Sequence, residues 1–257
     1  MTTVTDRLKQ IALFLVIVGL WEGVARAGFL PAVVLPAPSA IMRRGFELFY
    51  QGDIWPHLVA TTIEVLTGFA LGVGAGFLFG VIVALVPAVE KYAYPYIVAL
   101  QTVPKVAIAP LFLIWFGYGI TSKVVIAGLV CFFPVLVSVM SAFHTTDRDQ
   151  LDMMKAFGAT RWQIFRHLRA FAAMPTIFAG IEIASVFAVI GALVGEFVGA
   201  QAGLGYLITV LNFNIDVPGV FAVLIVLSLL GTILHGIVRF VGKRCVFWIR
   251  SERVNIV

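Results

Sequence analysis

Apolar stretches long enough to cross a bilayer recur along the whole chain, and no soluble fold accommodates them. A membrane helix needs about 20 predominantly apolar residues to span roughly 30 Å of hydrocarbon. Runs that meet this test lie at about 9–28, 60–86, 94–117, 123–143, 174–200 and 218–241. Composition agrees, since 61% of the 257 residues are hydrophobic and only 12% are charged, against about 25% charged in ordinary soluble domains. The expected fold class is an all-α membrane protein with about six transmembrane helices, read as a single domain over residues 1–257. Between the first two runs lies a polar, Pro-rich stretch from Pro31 to Pro56, in which Ser39–Tyr50 reads as a short helix started by Ser39.

A cleaved leader is the rival reading of the N-terminus. Arg7 and Lys9 precede the run Ile11–Leu20, and Ala25-Arg26-Ala27 resembles a cleavage site. The apolar run continues through Trp21 and Val24, which favours a membrane helix. Orientation follows from the bias of basic residues toward the cytoplasm. With the N-terminus inside, 13 of the 18 Lys and Arg fall on the cytoplasmic side, from Arg7 and Lys9 to Arg250 and Arg253. Arg26, Arg43, Arg44 and Lys123 fall outside, and Lys105 falls within a helix. Both termini are therefore expected in the cytoplasm. The net charge of +5 is modest, and its placement marks membrane sidedness rather than a nucleic-acid partner.

Chemistry-bearing side chains are sparse. Two cysteines, Cys131 and Cys245, set no disulfide framework, and His57, His144, His167 and His235 are scattered over different segments, so no metal site is expected. In the second run Gly68, Gly72, Gly76 and Gly80 recur every four residues and share nearly one helix face. Small residues there let another helix approach closely, so these glycines read as packing. Ionisable groups inside a span are costly and are functional candidates by default. Those within reach of a pathway are Glu64, Lys105 and Glu182, with Gln101 as a neutral hydrogen-bonding neighbour, while Glu196 lies near an outer helix end. Lys105, a fixed positive charge, suits an anionic solute, or else snorkels or pairs with a Glu on a neighbouring helix. Asn212 and Asn214 hydrogen-bond a solute or cap helix ends.

The cytoplasmic loop from about 144 to 173 carries the most information. Leu151, Met154 and Phe157 recur at spacings of three and form one apolar face. Gly158 supplies a left-handed helix stop, and Thr160 with Gln163 forms a capping box that starts a second short helix. An apolar-faced helix pair outside the membrane must bury that face against the inner helix ends or in the groove of a partner.

Asp152-Met153-Met154-Lys155-Ala156-Phe157-Gly158, followed by Ala159-Thr160-Arg161-Trp162-Gln163-Ile164-Phe165, resembles the coupling-loop motif of ABC importer permeases. The usual pattern there is Glu-Ala-Ala, three residues, then Gly. Here Asp152 replaces the Glu, Met153 and Met154 replace the Ala pair, and Ala170-Phe171 stand where Leu-Pro is usual. Thr102-Val103-Pro104-Lys105-Val106-Ala107 through Gly117, and Gly195-Glu196-Phe197-Val198-Gly199-Ala200 through Tyr206, are similar to signatures of the subgroup for alkanesulfonates, taurine, nitrate and pyrimidine precursors. The resemblance implies the type I importer permease fold in a bacterial cytoplasmic (inner) membrane.

It also implies two ABC ATPase subunits, a second permease copy in a homodimer, and a periplasmic or extracellular solute-binding protein. Asp152, Met154, Ala156, Phe157, Gly158, Ala159, Thr160 and Arg161 would then engage the ATPase. A phosphate-cradling loop needs Gly-x-x-x-x-Gly-Lys followed by Ser or Thr, and no Lys here is followed by either. The chain is thus expected to bind no cofactor and to be no enzyme, with ATP and Mg held by the partner ATPase. An ion-driven transporter would show two related halves with interrupted helices, and a membrane enzyme would show clustered His, Cys or carboxylates.

Overall fold

The computed structural model describes residues 4–28, 31 and 33–248. Arg250 and Arg253, used above for orientation, lie outside the described residues, as does the side chain of Arg7. Among the described residues every regular element is helical. The elements are α1 (Val4–Arg26), α2 (Pro38–Tyr50), α3 (Ile54–Leu85), α4 (Pro87–Thr102), a 3-10 turn (Lys105–Ile108), α5 (Ala109–Phe116) and α6 (Ile120–Ala142). There follow α7 (Arg148–Ala156), α8 (Arg161–Ile164), a π turn (Phe165–Arg169), α9 (Ala170–Gly199), α10 (Leu204–Phe213) and α11 (Val217–Cys245).

Among the described residues five stretches are long and apolar enough to cross a membrane, namely Leu8–Arg26, Ile54–Leu85, Ile120–Ala142, Arg161–Gly199 and Val217–Cys245. A sixth is broken, with Ala88–Thr102 and Lys105–Phe116 bent by 78°. The sequence predicts one uninterrupted span at 94–117, and Pro104 explains the difference. Its ring disfavours the helical conformation at the residue before it, and Val103 accordingly turns extended, at φ −65° and ψ 126°. Helix continues from Arg161 through Pro175 to Gly199.

By packing, the chain divides into two compact units, residues 1–60 with 201–228, and residues 61–200 with 229–257. Within the first, Ser39 does not cap α2, whose N-cap is Ala37. Its N–H and hydroxyl instead donate to Glu22, at 2.9 and 2.7 Å. Arg44 pairs with Asp216 at 2.6 Å, a contact that holds the guanidinium pKa above its ordinary value. Asp216 also accepts from the Gly219 N–H and so caps the start of α11. The His57 ring accepts from the Gly203 N–H at 3.1 Å, just before α10.

In the second unit α6 is the central helix. Gly68, Gly72, Gly76 and Gly80 of α3 all abut it. A Cβ at Gly76 would lie 2.6 Å from the Phe132 carbonyl oxygen, and one at Gly80 would lie 2.7 Å from Val139 Cβ. Gly191 and Gly195 of α9 press on Ala127 and Lys123 in the same way. Lipid tails are as apolar as leucine, so helices associate through such close backbone contact rather than through the hydrophobic effect. Cys131, buried in α6, donates to the Ala184 carbonyl oxygen of α9.

Candidate functional site

The loop between α6 and α9 is built by local capping. Asp147 accepts from the Asp149 N–H and opens α7. Gly158, at φ +76°, closes it. The Gly158 N–H then reaches the Lys155 carbonyl at 2.9 Å and the Ala159 N–H the Met154 carbonyl at 3.0 Å, a Schellman stop. Thr160 and Gln163 exchange both bonds of a capping box at the start of α8. Phe165 stacks between Phe143 and Trp162, and Ile164 is buried.

The loop is thereby fixed, yet it leaves apolar side chains outward. Phe157 is 84% exposed, Trp162 66% and Met153 55%, while Leu151 and Met154 are half-buried. Asp152, Lys155, Ala156 and Arg161 are exposed as well, and Asp152 pairs with Lys155 at 2.9 Å. An exposed ion pair of that kind contributes at most about 1 kcal/mol. A cavity of about 570 Å³ opens beneath, lined by Leu85, Leu151, Trp162 and Arg169 among others.

The break at Pro104 shapes a second feature inside the span. Where the helix stops, the Gln101 carbonyl loses its backbone partner, and the Lys105 ammonium donates to it at 2.8 Å. Lys105 also sits over the Phe133 ring, 4.6 Å from its centroid. A cavity of about 320 Å³ is lined by Gln101, Lys105, Phe133, Ser138 and Phe187 among others. Gln101 also lines a neighbouring cavity of about 440 Å³ that extends to Glu90 and His144, which face each other at 3.0 Å. The predicted pathway residues therefore separate. Gln101 and Lys105 line this groove, whereas Glu64 and Glu182 line neither cavity.

Glu64 belongs to a buried polar cluster. It is 3% exposed, Lys123 and Glu196 are 2% exposed, and Thr61 is fully buried. Thr61 donates to Glu196 at 2.6 Å, and Glu64 lies within reach of both Glu196 and Lys123. The Lys123 ammonium donates to the carbonyls of Tyr118 and Gly119, the latter at 3.0 Å, which ties the turn after α5 to α6. The sequence reading assigns Lys123 to the outer surface and does not single it out. Its place at the start of an apolar run is ambiguous between an interface and an interior, and only the approach of Gly195 to it decides.

Capped short helices between the apolar spans, one broken span and a largely apolar groove with a few polar side chains beside it define a multi-pass helical membrane protein. Residues 72–246 match the family described as the binding-protein-dependent transport system inner membrane component. The chain belongs to this family. It is 34% identical over 238 residues to a riboflavin transport system permease protein of Chloroflexus aurantiacus, covering 93% of this chain and 88% of that one. It is 38% identical over 224 residues to a formylaminopyrimidine transport permease protein of Halalkalibacterium halodurans, covering 87% and 89%. A putative aliphatic sulfonates transport permease protein of Bacillus subtilis is 29% identical, covering 95% and 88%. Among solved structures, an amino acid ABC transporter shares the fold with a TM-score of 0.59 at 16% identity, covering 79% and 98%. An inward-facing MetNI methionine ABC transporter gives 0.55 at 21% identity, covering 76% and 93%. The chain is a permease component of binding-protein-dependent import.

Proposed function

We propose that this chain forms the translocation pathway of an ATP-driven importer in a bacterial inner membrane, with both termini in the cytoplasm and residues 1–257 acting as one permease domain. Two copies of it pair with two ATPase subunits, which hold ATP and Mg, and an outer solute-binding protein delivers the solute. The observation that carries this reading is Phe157, 84% exposed at the C-terminal end of a helix capped at both ends and lying beyond the spans. A large apolar side chain held rigidly in water is matched by a partner groove. Asp152, Met154, Ala156 and the turn Gly158-Ala159-Thr160-Arg161 surround it. Closure of the ATPase pair on ATP pushes this helix, and the spans rock between outward and inward openings. Gln101 and Lys105 line the path, and Glu64 and Glu182 support it from neighbouring helices. Riboflavin, formylaminopyrimidine and aliphatic sulfonates, after which relatives are named, are the first solutes to test.

Gly158→Trp tests the coupling step. A left-handed residue with a large side chain opens the Schellman stop and displaces Phe157. ATP hydrolysis by the assembled complex is expected to continue while solute uptake is lost. Normal uptake in this variant contradicts the docking assignment.

A further inference from the structure

The groove at the broken span carries more than a path. Around the cavity of about 320 Å³, Lys105 contributes an ammonium with three N–H donors, of which one is taken by the Gln101 carbonyl. Neither the Gln101 carboxamide nor the Ser138 hydroxyl has a hydrogen-bond partner among the described residues. No carboxylate lines this cavity. Its remaining wall is apolar, with Phe133 and Phe187 the largest contributors. Small-molecule sites have this make-up, mostly apolar with a few convergent polar groups, and a size of about 300–1,000 Å³.

Resting on the reading of the chain as a permease, we propose that this cavity is a solute-contact site of the permease itself, and that it takes a small organic anion. Oxygen acceptors of the anion meet Lys105, Gln101 and Ser138, and its apolar body lies against Phe133 and Phe187. The lone positive charge selects the acceptor end, and the apolar wall rejects an inorganic anion, which has no body to desolvate against it. The permease then adds a second selection step behind the external binding protein.

The test uses the full chain with its co-purified subunits in nanodiscs, carrying I183C as a reporter on the cavity wall and C245S to remove the partly accessible native thiol. The native Cys131 is buried. Alkylation of the reporter thiol is timed with benzenesulfonate, with its uncharged isostere benzenesulfonamide, and with sulfate. Benzenesulfonate is expected to protect, and the other two to protect about tenfold more weakly, as befits loss of a charge-assisted contact or of the apolar body. K105M is expected to abolish the difference between sulfonate and sulfonamide, and K105R to keep it, which separates lost charge from lost folding. Equal protection by sulfonamide, equal protection by sulfate, no protection by any probe, or an unchanged K105M profile would each overturn the proposal. ATPase activity is read in the same nanodiscs. Its absence removes the importer reading, while the protection pattern still decides the cavity chemistry.

Discussion

Helices α1 and α6 are both 23 residues long and both apolar enough to cross a bilayer. None of the α1 window is buried, while half of the α6 window is. Apolarity therefore commits a segment to the membrane without saying whether it faces lipid or protein. What distinguishes α6 is the partners it meets, namely glycines of α3 and α9 and a polar cluster at its start. Gly19 and Gly23 of α1 have open space where a side chain would go, while the glycines abutting α6 have none.

That contrast is open to direct attack, and the largest effect is expected at Lys123. Lys123→Met leaves two buried carboxyl groups without their neighbouring cation and uncaps two carbonyls, a loss of about 3–5 kcal/mol. The measurement is the denaturant or thermal midpoint of the detergent-solubilised chain. Removing a charge from α1 by Arg26→Ala, whose ion pair with Glu22 is solvent-exposed, is expected to cost less than about 1 kcal/mol on the same scale. Gly76→Leu drives a side chain into the Phe132 backbone and is expected to cost about 1–3 kcal/mol or more, whereas Gly19→Leu stays within about 0.5 kcal/mol. If Gly19→Leu proves as costly as Gly76→Leu, α1 has a tight protein neighbour and the contrast collapses. Outside the spans, Thr160→Ala removes one half of the capping box and is expected to cost about 1 kcal/mol, read as faster amide exchange across α8.

Those expectations follow the boundary between what the residues announce and what only packing decides. Gly158, Thr160 and Gln163 are legible because capping chemistry is local, requiring a left-handed residue here and a hydroxyl with an amide three positions on. The four-residue glycine repeat announces a close helix approach but not its partner, since any helix satisfies it. Pro104 carried the signal for the broken span, and a long apolar run on either side masked it. Lys105 reads from the sequence as a charge in a span, but its bond to the Gln101 carbonyl exists only because the helix ends there. Lys123 reads as an outer-side charge because it begins an apolar run, and its burial follows from the approach of Gly195. Glu64 reads as one of several isolated charges, since its neighbours Glu196 and Lys123 come from helices far apart in sequence.

The most direct test of the central claim, that this chain is driven by a separate ATPase through its capped loop, is mild extraction of the assembly from its native membrane followed by identification and counting of its subunits. An ATPase chain carrying the phosphate-binding loop is expected, in equal number to this chain. A stable chain recovered alone, with uptake that follows an ion gradient instead of ATP, would contradict it.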